Sequence, residues 1–161
     1  MLFRSNGAAE YFEQNNTDRV TVQAGWDYKI DQRNRIQIKN SLTRFDRDIR
    51  IPTFRFQAAQ LSGYSEINWS NTGKKSQWVG GLNLLTDKLS QALGSPTRLD
   101  YDFTTLGVFV QNTFTVSDKW TIESGLRTDH VKEFGWELLP RLSLLFKPNA
   151  SITSKIGRAH V

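Results

Sequence analysis

LGVFVQNTFTVSDKWTIESGLRTDHVKEFGWELLPRLSLLFKPNAS, residues 106–151, is the stretch that decides how this chain folds. It divides into three long strands. Leu106, Val108, Val110, Phe114 and Val116 alternate with Gln111, Thr113 and Thr115. After Ser117-Asp118-Lys119, the residues Trp120, Ile122 and Leu126 alternate with Thr121, Glu123, Arg127 and Asp129. Beyond a further loop, Leu138, Leu142, Leu144 and Phe146 alternate with Arg141, Ser143 and Lys147. A period of two sends each set to its own face of a sheet. These runs exceed the usual strand of about five or six residues. Their polar register carries full charges, which a dry sandwich core would not accept unpaired. One apolar and one charged face on long strands predict a barrel with lipid outside and water inside.

The two ends read differently. Ile156-Gly-Arg-Ala-His-Val161 is the translation of ATCGGAAGAGCACACGTC, and Met1-Leu-Phe-Arg-Ser5 is that of GTG-CTC-TTC-CGA-TCT with a GTG start. Both look like one sequencing-library adapter in opposite orientations. Residues 1–5 and 156–161 are therefore expected to be adapter-like scars, and residues 6–155 an internal piece of a longer protein. Lys155 shares its codon with the adapter. The formal charge of +5 loses Arg4 and Arg158 with the scars, which carry no acid, leaving +3. That surplus is dispersed and gives no footprint for nucleic acid. There is no cysteine, hence neither a disulfide framework nor a thiolate metal site. Mean hydropathy is −0.49, and no apolar run approaches the roughly 18 residues of a membrane helix. Barrel strands escape that test, because their wet face dilutes hydropathy.

Upstream, the same alternation predicts four more strands. About Arg19–Ile30 places Val20, Val22, Ala24, Trp26, Tyr28 and Ile30 on one face, and Arg35–Phe45 places Ile36, Ile38 and Leu42 there, with Asn40 as a polar exception. Gln57–Ser70 contributes Leu61, Ile67 and Trp69, and Gln77–Leu85 contributes Trp78, Leu82 and Leu84. With a further strand starting at Ser151, the expected fold is all-β: an antiparallel transmembrane β-barrel segment of about seven to eight strands, incomplete. Connections at 31–34, 71–75, 117–119 and 148–150 read as short. Those at 46–56, where Pro52 is expected to interrupt pairing, at 86–103 and at 131–137 read as longer. Alternating turns and loops is how outer-membrane barrels are strung. Trp26, Tyr28, Trp69, Trp78, Trp120 and Phe146 sit in the apolar register near the short turns. They are expected to form an aromatic girdle at one membrane interface, apolar body in lipid and polar edge in water.

Gly107-Val-Phe-Val-Gln-Asn112, Gly125-Leu-Arg-Thr-Asp-His130, Leu139-Pro-Arg-Leu-Ser143 and Lys147-Pro-Asn149 follow one another in an order that resembles the TonB-dependent outer-membrane receptors. The segments around Lys39-Asn-Ser41 and Phe45-Asp-Arg-Asp-Ile49 are similar to the same family. The resemblance implies a closed barrel of about twenty-two strands, of which this chain would supply a third. It also implies a plug domain and a TonB-contacting segment that are not in these residues.

No enzyme site emerges. Asp129 and His130 are neighbours on a strand and face opposite sides, which defeats a triad. Asp46/Asp48 and Asp100/Asp102 have a spacing that suits a hard cation but lack the rest of a calcium loop, so solvated loop charges are the simpler reading and no metal site or cofactor is expected. Lys39, Glu66, Glu123, Arg127, Asp129 and Arg141 are expected to face the lumen, pair across strands and meet the plug. Arg98, Tyr101, Phe103, Phe134 and Trp136 are the expected ligand-contacting loop residues, since an anionic chelate favours arginine and aromatics. His130 near the rim could reach haem iron. These readings describe part of an active transporter in the outer membrane of a Gram-negative bacterium. Its expected partners are outer-membrane lipid, the TonB complex, and a scarce ligand such as a ferric siderophore, haem, cobalamin or glycan. A passive porin and a soluble all-β binding or adhesion module are the alternatives.

Overall fold

The computed structural model describes residues 11–92, 99–149 and 152–159. Arg98 and residues 1–5, 160 and 161 lie outside the described residues. Among the described residues eight strands run in chain order: β1 (Gln14–Lys29), β2 (Asn34–Ile51), β3 (Phe54–Thr72), β4 (Ser76–Gln91), β5 (Tyr101–Ser117), β6 (Trp120–Val131), β7 (Gly135–Phe146) and β8 (Ser154–Ala159). They form one sheet in the order β1-β2-β3-β4-β5-β6-β7-β8, each antiparallel to its neighbours. No described residue is helical. The expected antiparallel sheet is present, with eight strands.

Several expected loops are strand. Residues 46–56 are not a long connection: β2 runs on to Ile51, β3 starts at Phe54, and Ile51 pairs with Phe54. Pro52 and Thr53 form the turn between them, so Pro52 removes no ladder hydrogen bond and interrupts nothing. Likewise β4 continues to Gln91, β5 begins at Tyr101, and only 132–134 separate β6 from β7. Charged residues such as Asp46, Asp48 and Arg50 suggest loop. A two-stranded ribbon with solvent on one face accepts them as readily, because its backbone pairing does not depend on side-chain polarity. The alternation of short and long connections therefore fails in its simple form. The strands at that end project further instead.

The turns at the other end have local causes. Asp31 accepts hydrogen bonds from the backbone N–H groups of Arg33 (2.7 Å) and Asn34 (2.8 Å) and from the Asn34 side chain (2.7 Å), an Asx arrangement that closes the β1–β2 hairpin. Those bonds, that from the Asn34 side chain first, hold the Asp31 carboxyl below its ordinary range. At the projecting end, Gly135 opens β7 with φ +88°, a conformation that glycine adopts without steric cost. Between β5 and β6 the register slips at Thr115/Ser117, a bulge beside the two-residue turn.

Among the described residues Ala58 is the only buried apolar side chain, and no large side chain is fully buried. A single sheet without a second layer has no core of its own. Its apolar register is open along its length: Val22, Trp26, Leu82, Val108, Leu126 and Leu142 are all exposed. The Asn40 exception on that face is satisfied in place, since Ser65 Oγ donates to its Oδ1 at 2.8 Å.

Candidate functional site

The six charged residues singled out by their register share the polar face. Lys39 pairs across to Glu66 (Nζ–Oε1 3.4 Å), and Glu66 also accepts hydrogen bonds from Tyr64 Oη and, at 2.7 Å, from Asn68 Nδ2. Glu123 receives Arg141 Nη2 at 3.0 Å and Lys155 Nζ at 2.9 Å. Arg127 departs from the expected cross-strand pattern: its Nε bonds Asp129 of its own strand at 2.8 Å, and Nη2 reaches Asn83 Oδ1 at 3.2 Å. The acids are well covered, with the side chains of Glu66 and Asp129 each 14% exposed. Two glycines make room for this layer. A Cβ on Gly107 would lie 2.3 Å from Asn83 Oδ1, 2.5 Å from Asp129 Oδ1 and 2.7 Å from Arg127 Nη2, and one on Gly81 would lie 2.5 Å from Asn68 Oδ1. Asp129 Oδ1 and Asn68 Oδ1 are buried and have no hydrogen-bond partner among the described residues.

Nearer the projecting end, a second knot forms around Asp87. Gln60 Nε2 (2.8 Å), Ser62 Oγ (2.8 Å) and Tyr101 Oη (3.2 Å) all donate to it. Tyr101 stacks on Phe103 (ring centroids 5.0 Å), and Phe103 touches Phe134 (6.1 Å). Three of the expected ligand-contacting residues thus come together. Trp136 does not join them: it pairs with His130 (centroids 4.8 Å) in the opposite, apolar register. Arg98 lies outside the described residues. Asn83, Asp87 and Gln60 were not picked out as a group from sequence. The signal available was their alternation with Leu82, Leu84 and Leu61, continued beyond the point where strand four appeared to stop.

In the β2–β3 hairpin the two registers exchange character. The apolar register of the lower sheet becomes charged: Arg44 bonds Asp46 (Nε–Oδ2 2.8 Å), and Asp48 is gripped by Arg50 and Arg55 (Nη2–Oδ2 2.7 and 2.9 Å). The other register carries Phe45, Ile49, Ile51, Phe54 and Phe56. Hydrogen bonds from Arg50 and then Arg55 hold the Asp48 carboxyl well below the usual carboxylate range, as charge-assisted donors do. Asp46 and Asp48 are thus engaged by arginines, Asp102 pairs with Lys88 at 3.2 Å, and Asp100 accepts from Gln91 N–H at 2.8 Å. Among the described residues no three metal-ligating side chains cluster. His130 and Asp129 face opposite sides, one on Trp136 and the other on Arg127.

The aromatic set is ordered in a way that only the register reveals. Trp26 lies in a cross-strand row with Ile38, Ile67, Leu82, Val108, Thr128 and Leu138. Relative to that row, Trp69 is displaced two residues toward the turns, Trp78 four, and Trp120 and Phe146 eight. Eight residues at ~3.4 Å against six strand spacings of ~4.8 Å incline this line by about 40° to the hydrogen-bond rows. Strands of outer-membrane barrels tilt by about 35–45°, so the belt is level when the strands are tilted as a barrel requires. Trp120 and Phe146 stack with centroids 4.2 Å apart.

Long antiparallel strands in sequential order, an apolar face closed off by an oblique aromatic belt, and a charged opposite face define a segment of an outer-membrane-type β-barrel. Residues 3–159 match the family model described as TonB dependent receptor-like, beta-barrel. The chain belongs to that family, whose members are transport receptors of the outer membrane. No curated protein matches. Solved structures with the same fold include a ferric enterobactin receptor mutant from Pseudomonas aeruginosa (13% identity, TM-score 0.69, 90% of this chain and 25% of that one). The siderophore receptor PirA from Acinetobacter baumannii is similar at 15% identity (TM-score 0.69, 90% and 25%), and the ferric citrate transporter FecA in its unliganded form at 14% (0.65, 85% and 26%). The chain spans about a quarter of the length of these receptors.

Proposed function

We propose that the chain forms part of the barrel wall of an active outer-membrane transporter that imports a scarce ligand, with energy supplied through TonB. The observation that carries this reading is the pairing of an apolar face with a charged one across a sheet that the family model matches almost throughout. On this reading residues 6–155 are receptor sequence, the flanks derive from an adapter, the apolar face meets lipid, and the charged face lines the lumen. Lys39, Glu66, Glu123, Arg127, Asp129 and Arg141 then form the wall against which a plug domain packs.

Tyr101, Phe103 and Phe134, with Arg98 nearby in sequence, are the proposed ligand contacts. A ferric siderophore is the first ligand to test, because an anionic chelate with apolar or aromatic groups suits such a surface. The test is uptake of radiolabelled ferric siderophores by cells carrying the complete receptor, with and without TonB. TonB-dependent accumulation supports the reading, and equal accumulation without TonB refutes it in favour of a passive pore. Reversing one lumen charge, Arg127→Glu, should lower uptake while leaving the assembled barrel in place. Uptake and assembly both unchanged would argue that the wall charges merely fill a wet interior.

A further inference from the structure

We infer that Trp136, with His130 stacked on it, is an anchor at the second membrane interface and not a ligand contact. The inference rests on the barrel reading above and adds the position of the outer boundary. Trp136 lies in the register of Leu138, Leu142, Leu144 and Phe146, is 70% exposed, and is separated by the sheet from Tyr101 and Phe103. On β7 it stands ten residues from Phe146 of the aromatic belt. Ten residues at ~3.4 Å, on a strand tilted by about 40°, span about 26 Å of depth, against an apolar band about 25 Å tall in outer-membrane barrels.

A separate strand gives the same height. On β4 the first full charge in this register is Lys88, ten residues from Trp78, and it pairs with Asp102 on β5. On β2 charge begins lower, with the Arg44–Asp46 pair, Arg44 standing six residues from Ile38 of the Trp26 row. Below that line and down to the belt, the outward register of β4 to β7 holds no Asp, Glu, Lys or Arg. On β4 and β7 charge and tryptophan therefore stop the apolar band at one level, where an indole keeps its ring in lipid and its N–H in water. The occupant of this face is the lipid of the outer leaflet. The β6–β7 hairpin accordingly ends close to the surface, whereas β2–β3 rises above it.

Depth-dependent quenching tests this in the complete receptor, in a background without other thiols. Single variants Trp136→Cys, Leu138→Cys, Leu142→Cys, Trp120→Cys and Phe103→Cys are labelled with a nitrobenzoxadiazole dye. Each is reconstituted in phosphatidylcholine vesicles that carry a doxyl group at carbon 5 or carbon 12 of the acyl chain. The expected result is greater loss of emission with the shallow label at positions 136 and 120. The deep label should win at 142, position 138 should fall between 136 and 142, and position 103 should be quenched by neither. A dye at 136 that neither label quenches, with 120 and 142 behaving as stated, overturns the inference and returns Trp136 to the ligand side. A dye at 136 quenched mainly by the deep label overturns it as well, because the boundary then lies elsewhere. Loss of quenching at 120 and 142 too would instead refute the assignment of the whole face to lipid.

Discussion

Val110→Arg puts a charge where the lipid reading tolerates it least. Val110 is exposed on the apolar face and lies between Gly80 of β4 and Leu126 of β6. It is four residues from Phe114, which is level with the aromatic belt on β5. Four residues at ~3.4 Å on a strand tilted by about 40° put it about 10 Å above the belt, close to the middle of an apolar band about 25 Å tall. Arginine on the lipid face costs about 2–4 kcal/mol at the midplane and about 0–1 near an interface. The folding equilibrium should therefore fall by roughly 30- to 900-fold for Val110→Arg. For Phe114→Arg it should fall by no more than about fivefold. Thr113→Arg, on the other face and directly opposite Glu123, gains an acid partner and should be close to neutral. Urea titration of the complete receptor in vesicles, read as the heat-sensitive mobility shift of the folded barrel, measures all three. Equal tolerance of Val110→Arg and Thr113→Arg, or a larger cost for Phe114→Arg than for Val110→Arg, would refute the two-faced reading.

Gly107→Val should destabilise the barrel by about 1–3 kcal/mol, as overpacking does, because its Cβ would collide with Asn83, Asp129 and Arg127. Gly25→Val, with its nearest neighbour at 3.9 Å, is the control expected to be tolerated in the same urea titration. Asp48 has a depressed pKa, so its contribution is full above the ordinary aspartate value of 3.8 and is lost only as pH falls through its lower folded value. Amide exchange at Arg50 and Arg55, corrected for intrinsic rates, should stay protected at about pH 5 and open only on acidification below about 4. Asp48→Asn should open the hairpin at every pH, and protection equal to the parent would show that the ion pairs do not hold it. Phe103→Ala should weaken ligand binding by about fivefold or more, the roughly 1 kcal/mol of a central aromatic contact. Trp136→Ala should leave Kd unchanged in the same titration, and the reverse pattern would exchange their roles.

Much of this was legible along the chain because strand alternation is local. Leu142 and Ser143, or Leu126 and Arg127, face opposite ways whatever pairs with them. The sheet, its apolar face and the charged set on the other face could be read from residues 106–151 and their upstream counterparts. The hairpin at 46–56 was not legible, because Asp46, Asp48 and Arg50 in close succession look like solvent-exposed loop. They are instead a ribbon whose charged side has turned outward. Trp136 stands beside a turn, where the sequence suggests a loop contact, but its register puts it with His130 on the face opposite Tyr101 and Phe103. Asn83 reaches Arg127 across the intervening β5, a contact that no sequence spacing foretells.

Period two determined, from sequence alone, which residues share a face. Register is a relation between strands far apart in sequence, and a shift by one residue would exchange the faces. Only the tertiary structure decided that Trp26, Trp69, Trp78, Trp120 and Phe146 fall on one oblique line, and that Trp136 and Lys88 stand ten residues from that line on separate strands. On the proposed barrel reading that slope equals the tilt of the strands, because a membrane interface is flat and residues that seek it must lie at one depth. The aromatics were visible in the sequence. The plane they mark needed the hydrogen-bonded register.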